Sequence, residues 1–413
     1  MTRIRTALAG IPEGVLIALA AVLAAVLAWR IVVAGVDAQR RRDDATLAEA
    51  VRRPAGTPGA DVALRQRLVR DPADAATMLA LALQLEQQGS REDADAAMTE
   101  ALRLAPADLH TLLPAAEYYL RAGKDREALA AMRRAVDASP SEVPRKLWEV
   151  LVAALDSGRY HAFFVDIARE DPPWWSAFFR MATSRAANAA VLDSVFASRA
   201  SAGVATADER EWMVSRLQRD RQWARAYALW VNGLPPDRQQ RIGYVFNGGF
   251  ELPLTKHGFD WLVSAQPGVT VAAGFKEGMA GQHVLQVAFA STRLVEPPVY
   301  QYLVLVPGRY AFEARARTDL ESWLGLQWGL YCDDAARAAR QLFHTERLLG
   351  LADWHTLRAE FAVPADCPAQ VLRLELANPR GEARAAEAVP VRFNGRLWFD
   401  DVGVRLLDSP QGG

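Results

Sequence analysis

Three alternating runs in the last part of the chain carry the side chains best suited to chemistry. In Ser322 to Cys332, Trp323, Gln327 and Tyr331 stand opposite Leu324, Leu326, Trp328 and Leu330. In Tyr310 to Arg317, Glu313, Arg315 and Arg317 oppose Tyr310, Phe312, Ala314 and Ala316, and in Gln370 to Ala377, Arg373 and Glu375 oppose Leu372, Leu374 and Leu376. Successive residues of a strand point to opposite faces. The pattern therefore predicts that Trp323, Gln327, Tyr331, Glu313, Arg315 and Arg373 share the outer face of one sheet, above an apolar core. Such a face suits sugars, whose flat apolar sides stack on aromatic rings while planar Arg, Glu and Gln groups bond their hydroxyls. The same residues also fit ordinary cross-strand charge pairs on a solvated sheet. Alternation does not separate the two.

Catalytic chemistry finds little support. Of six histidines, His344 and His355 lie near Asp333, Asp334 and Asp353 in sequence, but no H-E-x-x-H, nucleophile elbow, P-loop or dinucleotide fingerprint occurs. A carboxylate pair for glycoside cleavage could be assembled from almost any sandwich. The expectation is a non-enzymatic protein with no catalytic residue.

The two cysteines, Cys332 and Cys367, exclude a cysteine metal site. Both fall at strand ends that adjacent strands could bring together. A bridge there closes a loop of about thirty-six residues, contributes roughly 3–4 kcal/mol, and persists only in an oxidising compartment. Two buried free thiols in a reducing compartment are the alternative.

Two stretches bracket the alternating runs: Asn247-Gly248-Gly249-Phe250-Glu251 with Phe259-Asp260-Trp261 before them, and Gly395-Arg396-Leu397-Trp398-Phe399-Asp400-Asp401-Val402-Gly403-Val404 after. From Tyr244 to Leu407 the chain resembles the carbohydrate-binding-module type of galactose-binding-like jelly roll. The resemblance implies that the brackets are the first and last strands of a β-sandwich, that Trp261 and Trp398 are buried in its core, and that it binds a glycan. It also implies a structural calcium held by one acidic residue from each end, here Glu251 with Asp400 or Asp401. Alternation puts the two aspartates on opposite faces, so at most one is a ligand; a solvated acidic turn is the alternative. The fold itself hosts many non-sugar functions.

The elements that would carry this sandwich come earlier. From Gly14 to Val36 the chain is apolar except for Arg30, and at helical rise it spans about 34 Å, enough to cross a bilayer. A cleaved secretory signal is the competing expectation, though the stretch is long for one and lacks a clean A-x-A site. Arg40, Arg41 and Arg42 balance Arg3 and Arg5, so charge does not decide orientation. Pro54, Gly56, Pro58 and Gly59 mark a linker.

Pro72, Pro106 and Pro140 follow at intervals of thirty-four residues, the tetratricopeptide period. Leu81-Ala82, Leu85, Gly89, Ala94, Met98 and Ala101 in the first unit match Ala115-Ala116, Tyr119, Gly123, Ala128, Met132 and Ala135 in the second. Small residues let paired helices approach, and the proline stops the second helix. Two units are recognised, and two or three degenerate ones are inferred through Val231. Pro172-Pro173-Trp174-Trp175 fits either an exposed recognition patch or packing.

With 413 residues, 51% of them hydrophobic, and a net charge of −1, the chain suits two or three domains and offers no basic stripe for nucleic acid. The expected organisation is multidomain: a flank (1–13), a transmembrane helix (14–36), a linker (37–60), all-α tetratricopeptide-like repeats (61–240), an all-β jelly-roll sandwich (244–407) and a tail (408–413). The expected role is a single-pass inner-membrane adaptor with periplasmic domains, whose repeats bind a protein and whose sandwich binds a polysaccharide in envelope polysaccharide assembly or export. It requires no cofactor, and the structural calcium is what the resemblance adds. A polysaccharide-modifying enzyme and a purely protein-binding assembly factor are the alternatives.

Overall fold

The computed structural model describes residues 60–275, 283–294, 296–333, 340–377 and 391–408. The expected membrane helix at 14–36 and all but the last residue of the linker lie outside them. Among the described residues no helix is long and apolar enough to cross a membrane. The described chain forms two compact units, one ending at Leu151 and the other starting at Val152.

In the first unit, α1 (Ala60–Arg70) precedes the helix pair α2 (Ala75–Gln87) and α3 (Arg91–Leu104) and the pair α4 (Leu109–Arg121) and α5 (Asp125–Ala138). The bounds of the second pair are those of the first displaced by thirty-four residues. The turns repeat too. Gly89 and Gly123 have φ of +82° and +71°, a left-handed helix-ending conformation that glycine adopts without steric cost. The N–H groups of Ser90 and Lys124 donate back to the carbonyls of Leu85 and Tyr119 at 3.0 and 2.8 Å. Ala82, Ala94 and Ala101 in one pair and Ala116, Ala128 and Ala135 in the next are buried, so the backbones approach closely and Met98 and Met132 fill what remains. Arg121 of α4 clamps Glu86 of α2 through two hydrogen bonds of 3.0 and 2.7 Å.

The boundary between the units falls within α6 (Arg145–Asp156). The second unit continues with α7 (His161–Glu170), α8 (Trp175–Arg185), α9 (Ala189–Ser201), α10 (Ala207–Arg219), α11 (Trp223–Gly233) and the short α12 (Pro236–Gln239). Trp174 and Trp175 are buried against Phe178 and Phe179, so this aromatic cluster is packing and not an exposed patch. Beneath it Arg199, 1% exposed, donates to Glu209 and Asp171 at 2.7 Å each and to the Ala168 carbonyl at 2.9 Å. Its guanidinium also lies over the Trp175 ring. Glu209 in turn closes a capping box with Thr206 at the start of α10.

The sandwich has two five-stranded antiparallel sheets. The first runs in the order β1 (Leu262–Val263), β4 (Val299–Leu303), β9 (Gln370–Leu376), β6 (Leu326–Cys332), β7 (Gln341–His344). The second runs β2 (Val269–Phe275), β3 (Val284–Thr292), β10 (Phe393–Asp408), β5 (Gly308–Glu321), β8 (Gly350–Val363). Trp261, Trp328, Phe250, Phe399, Phe312, Leu372 and Leu374 fill the core between them. Cys332 and Cys367 are joined by a disulfide with Cα atoms 5.5 Å apart.

Two expectations about the brackets need correcting. The opening bracket is no strand: Asn247 and Phe250 have φ of +52° and +53°, and the segment folds into turns. It is still tied to the closing strand, because Val402 N–H donates to the Gly248 carbonyl at 2.9 Å, and a Cβ at Gly248 would lie 1.8 Å from the Val402 oxygen. Trp398 is buried, but not in the core. Leu397 and Phe399 face the core, so Trp398 occupies the outer side of β10, with the Arg317 guanidinium 4.8 Å from its ring centroid.

The last helix pair packs on the sandwich through an aromatic seam. Trp223 meets Phe259 and Tyr302, Tyr227 meets Phe259, and Trp230 meets Phe246 and Phe259.

Removing Glu209 takes away the buried carboxylate of the Arg199 pair and the capping box of α10, leaving the guanidinium with Asp171, which is about half exposed, and one carbonyl. Glu209→Ala is expected to destabilise the second unit by about 3–5 kcal/mol, read from its urea unfolding midpoint. A loss below about 1 kcal/mol, the range of exposed ion pairs, would show that the network carries no such weight.

Candidate functional site

On the outer face of the first sheet, Tyr300, Arg373, Gly329 and His344 form one cross-strand row, and Tyr302, Val371, Tyr331 and Gln341 form the next. Gln327 and Glu375 pair in a third. Gly329 is the pivot of this face. A Cβ there would lie 2.5 Å from Glu375 Oε1 and 2.8 Å from Tyr331 Cε2, so glycine opens the space into which these two side chains converge.

Into that space Tyr331 donates its hydroxyl to Glu375 Oε1 at 2.5 Å, and Gln341 Nε2 donates to the Tyr331 oxygen at 2.7 Å. Gln327 Nε2 reaches Glu375 Oε1 at 3.4 Å. Arg373 donates to Glu375 Oε2 at 2.7 Å and stacks over the Tyr331 ring, 3.9 Å from its centroid. Burial, together with the hydrogen bond to Glu375 and its charge, pushes the Tyr331 hydroxyl up to about 12, against the opposing pull of Arg373. Tyr331 therefore stays neutral and donating at any physiological pH. Next to this cluster, Arg373, Glu375, Glu296 and Pro297 help line a depression of 210 Å³.

The structure divides the six residues expected on one face. Gln327, Tyr331 and Arg373 come together. Trp323 stands in the turn before β6, 46% exposed. Glu313 and Arg315 lie on β5, in the other sheet, and their outer face is on the far side of the sandwich. Alternation fixes which side of a strand a residue occupies, but not which sheet the strand joins. On that far side Glu313 pairs with Arg358 at 3.5 Å, and Arg315 approaches Asp401 at 3.9 Å and lies over the Trp354 ring. Glu375 was visible in the sequence through its alternation with Leu374 and Leu376. Gln341, Tyr300 and Tyr302 reach the face only through strand pairing, which no local pattern signals.

At the bracket, Asp400 is 2% exposed; its Oδ1 accepts from Asp401 N–H at 2.8 Å, while its buried Oδ2 has no hydrogen-bond partner. Burial pushes its carboxyl up to about 6; the Asp401 hydrogen bond and Arg315 oppose this, and the charges of Asp401 and Glu251 add to it. An orphaned carboxylate oxygen beside a second acidic residue fits a hard cation, which would hold Asp400 ionised. Glu251 is engaged by His283, whose N–H and Nδ1 lie 3.2 and 2.7 Å from its carboxylate oxygens. Asp401 points into solvent beside Arg315. No cluster of three or more acidic, His or Cys ligands is present among the described residues, so further donors would have to be backbone carbonyls or water.

Because Asp400 has a raised folded pKa, the native state binds more protons than the unfolded state between the ordinary value of 3.8 and about 6. Its contribution is complete below that window and lost as pH rises through it. In the presence of a chelator, the unfolding free energy of the native chain should fall relative to Asp400→Asn as pH rises from about 4 to 6.5. A constant difference across that range would show that Asp400 ionises normally.

No protein-family model and no curated protein matches the chain. Among solved structures, the chain is similar to a CBM4 module at 16% identity, covering 40% of this chain and 99% of that one with a TM-score of 0.29. It is similar to the CBM22-1 xylan-binding domain of Paenibacillus barcinonensis Xyn10C at 15% identity, covering 39% and 93% with a TM-score of 0.28. A candidate sugar-binding protein of Bacteroides thetaiotaomicron is 9% identical over 40% of this chain and 100% of that one, with a TM-score of 0.29.

Proposed function

We propose that the sandwich binds a glycan along the outer face of its first sheet. The observation that carries this is the Tyr331, Glu375, Arg373, Gln327 and Gln341 cluster assembled over Gly329. It joins an aromatic ring to planar hydrogen-bonding groups already held in place by one another, and preorganised polar groups lower the ordering cost of binding. We further propose that the chain is a non-enzymatic adaptor: residues 14–36 anchor it in the inner membrane, tetratricopeptide-like repeats take a protein partner, and the sandwich is periplasmic. The disulfide supports an oxidising compartment, and the thirty-four-residue displacement of the helix pairs supports the repeat assignment. A structural calcium at Asp400 and Glu251 belongs to the same proposal.

The test is affinity electrophoresis of the full chain, in detergent, through gels carrying a panel of polysaccharides. Tyr331→Ala and Glu375→Gln should each weaken retention by about tenfold, the effect of losing one or two hydrogen bonds in a partly desolvated site, with the unfolding midpoint reported alongside. Full retention by the double variant would remove the first sheet from consideration. Release of reducing ends during the assay would overturn the non-enzymatic role.

A further inference from the structure

Where α10 and α11 meet the sandwich, a second pocket of 310 Å³ opens, lined in part by Ser215, Arg219, Arg221, Trp223, Tyr302 and Asp333. It adjoins the face just described, because Tyr302 and Tyr331 flank Val371 in one cross-strand row. Its floor is aromatic, with the Trp223 and Tyr302 rings 5.0 Å apart between centroids.

The pocket is rich in donors. Trp223 is 4% exposed, and its indole N–H has no hydrogen-bond partner among the described residues. Arg219 donates once, to the Thr183 carbonyl at 2.5 Å, and no salt bridge pairs it with a carboxylate among the described residues. Arg221 donates to the Asp333 carbonyl at 2.9 Å and lies 3.3 Å from its carboxylate. Among the described residues lining the pocket, two guanidinium groups thus face one carboxylate.

The backbone at Arg221 is unusual in a way that bears on this. After α2, α4 and α9 the chain turns through Gly89, Gly123 and Gly203, all at positive φ, and in each case the N–H of the next residue donates to a carbonyl five residues earlier. After α10 the same hydrogen bonds recur, from Arg221 to Gln218 and from Gln222 to Leu217 at 2.9 and 2.8 Å. Here the left-handed position, φ +57°, holds an arginine. A long side chain in that conformation costs free energy that glycine would avoid, and in return the arginine reaches the sandwich.

We infer that this junction pocket is a subsite for an acidic sugar, taking the carboxylate of a uronic acid residue in a glycan that runs on from the first sheet. Arg219 meets the charge, the Tyr302 ring backed by Trp223 provides apolar surface, and the Ser215 and Tyr302 hydroxyls supply donors. The inference rests on glycan binding at the adjoining face. It differs from it in assigning residues from the helices to the site and in specifying a charged ligand.

The test uses the full chain on arrayed oligosaccharides of glucose, xylose, mannose and galactose, each in neutral form and bearing glucuronate or galacturonate. Uronate-bearing members should be retained about tenfold more strongly than their neutral counterparts, an advantage that shrinks with salt. Arg219→Gln should abolish that advantage while leaving neutral retention intact. Tyr302→Phe, which keeps the ring, should reduce the advantage without changing the unfolding midpoint. Equal retention of neutral and acidic members, or an acidic preference that survives Arg219→Gln, overturns the junction subsite and leaves the glycan face standing. No retention of any member overturns both.

Discussion

The second unit depends on one contact, the aromatic seam between α11 and the sandwich. A helical repeat buries its apolar face only against a neighbour, and α11 has no later helix pair to serve. Trp223, Tyr227 and Trp230 use Phe246, Phe259 and Tyr302 in its place. The approach is close enough to dictate sequence on the other side. Gly258 has φ +64°, and a Cβ there would lie 2.4 Å from Trp230 Cδ1, so the loop carrying Phe259 must have glycine at that point. Each aromatic side chain fully buried contributes about 1.5–3 kcal/mol, which makes the seam larger than the polar bonds at its rim, such as Gln218 to the Gly258 carbonyl.

The seam also gives the first sheet two unlike ends. Near Tyr302 and Cys332 the outer face runs against helices; near Leu326 and Leu376 it ends at the loops carrying Trp323 and Pro297. The second sheet has no such character. Its outer charges are largely neutralised across strands, Glu313 with Arg358 and Arg309 with Glu360, as on any solvated sheet. The two faces thus differ in their pairing, with an interlocked polar cluster on one and simple ion pairs on the other.

Much of the fold was legible because it is local. The thirty-four-residue displacement appears in proline, glycine and alanine positions that each do a nearby steric job, and Tyr310, Phe312, Ala314 and Ala316 point inward as their alternation requires. What was not legible depends on long-range pairing. Nothing within β5 says that it joins β10 and β8 and not β9, so Glu313 and Arg315 were grouped with residues on the opposite sheet. The resemblance makes the bracket Asn247–Glu251 a strand, yet Gly248 passes so close to Val402 that the segment turns. The resemblance puts Trp398 in the core, but Leu397 and Phe399 take the core side of β10 and leave it on the outer side.

The strand order has a consequence for solubility. A sheet edge is a template on which another chain can polymerise. The first sheet ends in β1 and β7, of two and four residues, too short to seed a ladder. The second ends in β8, fourteen residues long, whose backbone would make it the weak point for edge-to-edge aggregation. Asp353, Arg358 and Glu360 are spread along that strand, and any chain adding to it would have to bring matching charges into register.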